Sequence, residues 1–377
     1  MSTPALAKNT SARQGVLPSH LLELDGFRAL AVWMVMLDHM VDGWKLPQEA
    51  VSWMPALLWQ FISHGWLGVD LFFILSGFLI TGILIDGREQ PKYFRNFYMR
   101  RALRILPLFY VCVLIMYFCY GGTYFVLSLL FLANFAPAFG VPTPHGPGVF
   151  WSLAIEEHFY FVWPLVARYL SRHTLLSTAI AIIVMSPFLR YWGMVSGVQF
   201  DGVYQYSFFR FDGLALGACL AVWARSAHFN RRGAWLLSAL LMVVVGVATA
   251  ITIPYGVFGT GSPMGIALRS TQAQFLFASA VALALTYRGT FLTSPLRWKF
   301  ALFSAKLSYC LYLIHLSVGD LYYWLLKRLE LNDLERLGPV GALGVRSVAI
   351  ISVSFVLAMI SQKYLEAPFM RLRKHFV

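Results

Sequence analysis

The chain has 377 residues and a formal net charge of +13, with 59% apolar residue types and 12% charged ones. Soluble domains carry about 25% charged residues, so half that share argues against a soluble globular protein, as does a mean hydropathy of +0.65. The lysines and arginines stand between apolar blocks and form no polar stripe with interleaved aromatics, which excludes nucleic acid as the partner and reads instead as membrane orientation.

The apolar blocks extend to roughly the 20 residues needed to cross a bilayer. They predict about ten spans, at 27–44, 57–85, 102–121, 150–168, 174–195, 206–225, 234–253, 269–287, 307–327 and 340–361. Tyr124–Phe135 is too short to cross and is expected to be re-entrant or interfacial. The fold class is therefore an all-α polytopic transmembrane helical bundle, since the alternating pattern of a membrane β-barrel is missing. Residues 1–23 read as a tail, 24–372 as a single membrane domain and 373–377 as a short end. The polar opening, with Lys8 and Arg13, lacks the pattern of a cleavable signal peptide. Ten crossings with both ends cytoplasmic place most of the 30 lysines and arginines inside and leave Lys45, Arg190, Arg269, Lys327, Arg328, Arg336 and Arg346 outside. A full crossing by 124–135 would move the later clusters outside, against the positive-inside rule. Pro137–Gly148, rich in proline and glycine, is then an extracytoplasmic loop. Cys112, Cys119, Cys219 and Cys310 lie inside apolar blocks without a Cys-x-x-Cys pair, so neither a disulfide framework nor a metal site is expected.

An ionisable group at membrane depth is a functional candidate by default. In the first span, Arg28 and His39 are 11 residues apart. At 100° per residue they share one helix face, about 16 Å apart along the axis. That spacing suits a ligand threaded along the helix, with an anionic head at the inner surface and a reactive end at the imidazole. Asp70, in Gly68-Val69-Asp70-Leu71-Phe72-Phe73, is a lone carboxylate in an apolar helix and needs a cation or a donor. Arg101 and Arg104 share a face at i,i+3 and suit bidentate phosphate binding. Trp151-Ser152 opens the fourth span, followed by Glu156, Glu157, His158 and Tyr160. Such a group suits acid–base work or an acceptor pocket. Arg210 with Asp212, His315 and Glu366 complete the set.

Together these segments resemble the acyltransferase-3 family of integral-membrane O-acyltransferases. The likeness runs from Leu24 to about Leu372. It rests on the Arg28/His39 pair, Gly68–Phe73 with Ser76-Gly77-Phe78, Arg101/Arg104 before Pro107, Trp151-Ser152-Leu153 with Glu156, Phe159 and Tyr160, Arg210 with Asp212-Gly213, Ser308-Tyr309 through His315, and Glu366 with Pro368-Phe369. The resemblance implies transfer of an acyl group, most often acetyl, from cytoplasmic acyl-CoA to a sugar hydroxyl of a cell-surface polysaccharide, lipopolysaccharide or lipid-linked glycan. It implies a multi-pass protein of the bacterial inner membrane, among its lipids. His39 matches the family's essential histidine, Arg28 its paired basic residue, and Arg101 and Arg104 a motif that serves the donor. The C-terminal esterase-like domain of some members has no counterpart before Val377, so a stand-alone membrane transferase is expected.

A sugar hydroxyl is a poor nucleophile at neutral pH and needs a base with a pKa near 7, which histidine supplies. His39 is the expected base, with Asp70 or Glu156 to orient it or hold the acceptor. Arg28, Arg101 and Arg104 are expected to hold the donor phosphates. Trp151, Ser152, Tyr160, Arg210, Asp212 and His315 are expected at the acceptor. A transporter or flippase would use the same buried charges, but no inverted repeat is evident.

Overall fold

A computed structural model describes residues 20–41, 56–252, 262–329 and 337–376. Lys8, Arg13, Lys45, Arg336 and most of the predicted tail lie outside the described residues. The described residues are helical, with α1 at Leu22–Val41, α2 at Ala56–Ser63, α3 at Leu67–Asp86, α4 at Tyr93–Tyr120, α5 at Thr123–Leu129, α6 at Phe150–Tyr169 and α7 at Arg172–Val195. There follow α8 at Phe200–Gln205, α9 at Ser207–Trp223, α10 at Arg231–Thr252, α11 at Pro263–Thr286, α12 at Lys299–Arg328, α13 at Gly338–Ser361 and α14 at Ala367–Arg371.

The long helices follow the predicted spans one for one. Six, namely α3, α4, α7, α10, α12 and the run from Val340 to His375, are long and apolar enough to cross a membrane. The protein is thus a multi-pass membrane protein. The remaining long helices, α1, α6, α9 and α11, carry the polar and charged groups of the interior, such as Asp38, Glu156, Asp212 and Gln274. The second predicted span divides into α2 and α3 at the turn before Leu67. The turn lies hard against α1: a Cβ on Gly65 would overlap the Met34 carbonyl. The stretch after α4 forms the short α5 and a 3-10 turn at Ala133–Phe139, too short to cross. Phe131 stacks on Phe109 of α4 at 4.6 Å, and the Tyr124 hydroxyl donates to the Pro147 carbonyl.

At the centre is α3, packed against α1, α6, α9 and α11. Its closest neighbour is α9, and glycine makes that approach possible. A Cβ on Gly77 would overlap the Leu214 carbonyl oxygen, and one on Gly217 the Ile74 carbonyl oxygen. Gly213 and Gly217 give α9 a Gly-x-x-x-Gly face, the arrangement that lets membrane helices touch backbone to backbone. Gly217→Ala is expected to destabilise the bundle by about 1–3 kcal/mol. Gly246→Ala, where a Cβ meets nothing, is the neutral control. Thermal unfolding in detergent micelles reads the difference; equal melting temperatures for both variants would remove the close approach as a determinant of packing.

Peripheral helices turn apolar side chains outward, including Leu114, Ile115 and Phe118 on α4, Val243 and Val247 on α10, and Val348 and Val356 on α13. Such a surface suits lipid. The predicted inner connections meet at one end. Arg225 pairs with Asp86, Arg88 donates to the Arg168 carbonyl, Arg172 to the Val222 carbonyl, and Arg297 stands 3.6 Å from Glu23. Three arginines expected outside are buried in the bundle instead: Arg190, Arg269 and Arg346 are 1%, 7% and 7% exposed. Each has interior contacts that offset its desolvation. Arg190 donates to Asp212, Thr271 and the carbonyls of Ala267 and Phe209. Arg269 stacks on Trp66 at 3.7 Å, and Arg346 donates to the Tyr323 hydroxyl and the Met40 carbonyl.

Candidate active site

A cavity of about 620 Å³ opens among α1, α3, α4, α6 and α12. Helical spacing builds its walls. On α6, Ser152, Glu156 and Tyr160 recur every four residues and line one face. On α12, Ser308 and Tyr312 do the same, and His315 continues the stripe one turn further. On α1, Asp25 and Arg28 face the cavity, and α4 contributes Arg100, Arg101 and Arg104.

Hydrogen bonds hold these groups in place. Arg28 donates to the Ser308 hydroxyl at 3.1 Å and lies 3.6 Å from Asp25. The Tyr160 hydroxyl donates to Glu156 at 2.9 Å and also meets the Ser76 hydroxyl. The Arg101 guanidinium lies 4.5 Å from the centre of the Tyr160 ring. Arg28, Arg101, Glu156 and Tyr160 are therefore one cluster.

Charge in the cavity does not balance. Its walls carry Arg28, Arg100, Arg101, Arg104, Arg225 and Arg373 against Asp25, Asp86 and Glu156. Arg225 is taken up by Asp86. Among the described residues Arg100, Arg101, Arg104 and Arg373 form no ion pair, and Arg104 is crowded by the like charges of Arg28, Arg101 and Arg373. An excess of forked cations has the chemistry that suits phosphate.

Tyr312 and Ser152 line the cavity, their hydroxyls 2.6 Å apart, whereas His39 and His315 do not line it. Ser152 donates its proton to the Val149 carbonyl at 3.1 Å, so the Tyr312 hydroxyl donates to Ser152. The Tyr312 ring is 6.1 Å from that of His315. Behind it stands a pair of imidazoles: His39 Nδ1 is 2.8 Å from His315 Nε2, and the rings stack at 5.0 Å.

Bond partners assign the tautomers of this pair. His315 Nδ1 lies 3.0 Å from the Leu311 carbonyl and 2.9 Å from the Tyr312 carbonyl. Carbonyls only accept, so Nδ1 of His315 carries the proton and its Nε2 holds a lone pair. His39 Nδ1 must then donate to it, which leaves His39 Nε2 with a free lone pair. An imidazole held in this way can accept a proton at its Nε2.

At the opposite end of α12 from Ser308, His145 Nδ1 lies 2.7 Å from Asp320, and the Tyr120 hydroxyl donates to the same carboxylate. Sequence reading missed this group. A histidine in a proline- and glycine-rich loop was its only local signal, and the partners are 175 and 200 residues apart from Asp320. It also missed Arg373 as a cavity residue.

Several predicted site residues are elsewhere. Asp70, expected beside His39 or the acceptor, is fully buried and accepts from Arg210 at 2.9 Å and Gln274 at 2.8 Å. Asp212 accepts from Arg190 at 2.7 Å and Gln274 at 3.1 Å. Gln274 bridges the two pairs in a network outside the cavity walls, and Arg210 also donates to Ser270. These contacts tie α3, α7, α9 and α11 together. Trp151 packs edge-on against Phe73 and tilted against Tyr204. Glu366 accepts from the Ser361 hydroxyl at 3.1 Å.

The profile of an acyltransferase domain matches residues 21–359, nearly the whole chain. The chain belongs to the acyltransferase-3 family. The acyltransferase-3 domain therefore contains both imidazoles, Arg28, Arg101, Arg104 and Glu156, whereas Arg373 lies beyond the matched residues. The chain is 31% identical over 162 residues to a peptidoglycan O-acetyltransferase of Listeria monocytogenes, covering 37% of this chain and 23% of the relative. It is also 31% identical over 175 residues to an O-acetyltransferase of Staphylococcus aureus, covering 41% of this chain and 26% of that protein. The matches thus span about a quarter of the length of these relatives. No solved structure matches.

Proposed function

We propose that the protein is a membrane O-acyltransferase that moves an acyl group, most simply acetyl, from cytoplasmic acyl-CoA to a glycan hydroxyl. The observation that carries this reading is the arginine-rich cavity whose inner wall is backed by an imidazole with a free Nε2. The likeness to the peptidoglycan O-acetyltransferase of Listeria supports a glycan acceptor. The positive-inside rule supports a cytoplasmic mouth for the arginine end, and the family's likeness to bacterial enzymes an inner-membrane location.

In this reading Arg28, Arg101 and Arg104 hold the donor phosphates, and the pantetheine arm extends along α1. The separation of Arg28 from His39, about 16 Å of helix, sets the reach the arm must cover. Tyr312 and Ser152 stand in its path, so their hydrogen bond opens when the thioester arrives. The acceptor comes from the end marked by His145 and Asp320. Its hydroxyl gives its proton to His39 Nε2 as the oxygen bonds to the thioester carbon. His315 Nε2 accepts from His39 Nδ1 and steadies the imidazolium. The carbon–sulfur bond then breaks, and the departing thiolate takes that proton. Ser152 is a poor candidate for a covalent intermediate, because its proton is committed to a backbone carbonyl.

The test is donor binding. Arg101→Ala combined with Arg104→Ala is expected to weaken coenzyme A binding about 100-fold, since a charge-assisted bond is worth about 1.5–3 kcal/mol. Calorimetry on the detergent-solubilised protein measures it. Unchanged affinity would return both arginines to membrane anchoring.

A further inference from the structure

Arg373 and Arg100 stand apart from the deeper arginines. The segment 367–376 folds back across the first turns of α4 and is pinned there. Arg100 Nε donates to the Phe376 carbonyl at 2.5 Å, and Arg95 lies 5.3 Å from the centre of the Phe376 ring. This places Arg373 on the cavity wall beside Arg100 and Arg101, whose like charges press on it. Its buried Nε has no hydrogen-bond partner among the described residues, and the remaining contact is a 3.9 Å approach from Nη1 to the Met370 sulfur. Nothing described neutralises it. Glu366, the nearest acid in the sequence, is engaged by Ser361.

The cationic wall thus has two levels. Arg104, with Arg28, is deep, and Arg100 starts one helical turn earlier on α4, about 6 Å nearer the mouth. A ligand with one anionic centre would need one level. Coenzyme A has two, a diphosphate on the pantetheine side and a 3′-phosphate on the ribose. The monoester is a near-dianion at neutral pH and accepts bidentate forks well.

We propose that Arg373, held in place by the fold of 367–376 onto α4, is a donor-specificity residue that with Arg100 receives the 3′-phosphate of coenzyme A, while Arg28, Arg101 and Arg104 receive the diphosphate. The assignment rests on acyl-CoA being the donor. It makes the segment after α13 a working wall of the donor site.

Calorimetric titration of the full chain in detergent micelles with coenzyme A and with 3′-dephospho-coenzyme A tests it. The unmodified protein is expected to favour coenzyme A by about tenfold or more, the effect of one lost charge-assisted contact. Arg373→Ala is expected to bring coenzyme A down to the level of the dephospho ligand, whose affinity stays unchanged. Arg373→Lys, which keeps the charge and loses the fork, is expected to fall between. Equal affinity of the unmodified protein for both ligands would overturn the assignment and leave acyl-CoA as the donor. Parallel loss of both ligands in Arg373→Ala would also overturn it, placing the arginine at the diphosphate or in the fold. Binding of neither ligand to the unmodified protein would instead remove the donor reading itself.

Discussion

His39→Ala is expected to lower acyl transfer about 10³-fold, within the range that a lost general base costs, while coenzyme A still binds with its ordinary affinity. The separation follows from position. The arginine levels lie on the cavity side of Tyr312, and the imidazole pair lies behind it. His315→Ala is expected to cost less, because His39 survives but loses the acceptor that fixes its tautomer. Transfer assays on protein reconstituted in liposomes, beside calorimetric binding, check both. Full turnover by His39→Ala would remove it as the base. A joint loss of binding and turnover would make it a packing residue.

Asp70→Ala is expected to cost about 3–5 kcal/mol of stability, because it leaves Arg210 buried without its carboxylate. The melting temperature in detergent reads this loss. A paired change, Asp70→Leu with Arg210→Met, removes both charges and is expected to recover most of it, since an apolar pair of similar volume replaces a buried ion pair well. The paired variant is also expected to keep turnover within about tenfold of the unmodified enzyme. A folded but inactive paired variant would return Asp70 to the reaction, where sequence reasoning had placed it.

The two cases show where sequence reasoning reaches and where it stops. Arg28 and His39 are on one helix, so 100° per residue sufficed to put them on one face. Arg101 with Arg104 was legible for the same reason. Asp70 was recognisable as a charge in need of a partner, but Arg210 is 140 positions away and nothing local named it. His315, 276 residues from His39, was expected at the acceptor, and nothing local named it as the partner of His39 until packing stacked the two rings. Arg190 and Arg269 looked like loop charges because they fall near predicted span edges, where a difference of a few residues decides between interior and water. Arg373 carried no signal at all, since its place depends on residues 367–376 turning back over α4.

The hydrogen bond between Tyr312 and Ser152 bears on more than the reaction path. An enzyme in the bilayer that takes its two substrates from opposite faces risks becoming a conduit, and the cell's proton-motive force would drain through any continuous wet column. On the proposed reading one phenol hydroxyl and one serine stand between the donor cavity and the imidazoles. On that reading the acyl chain fills the gap as this hydrogen bond opens, so the incoming donor would serve as its own stopper and keep the membrane energised through each turnover.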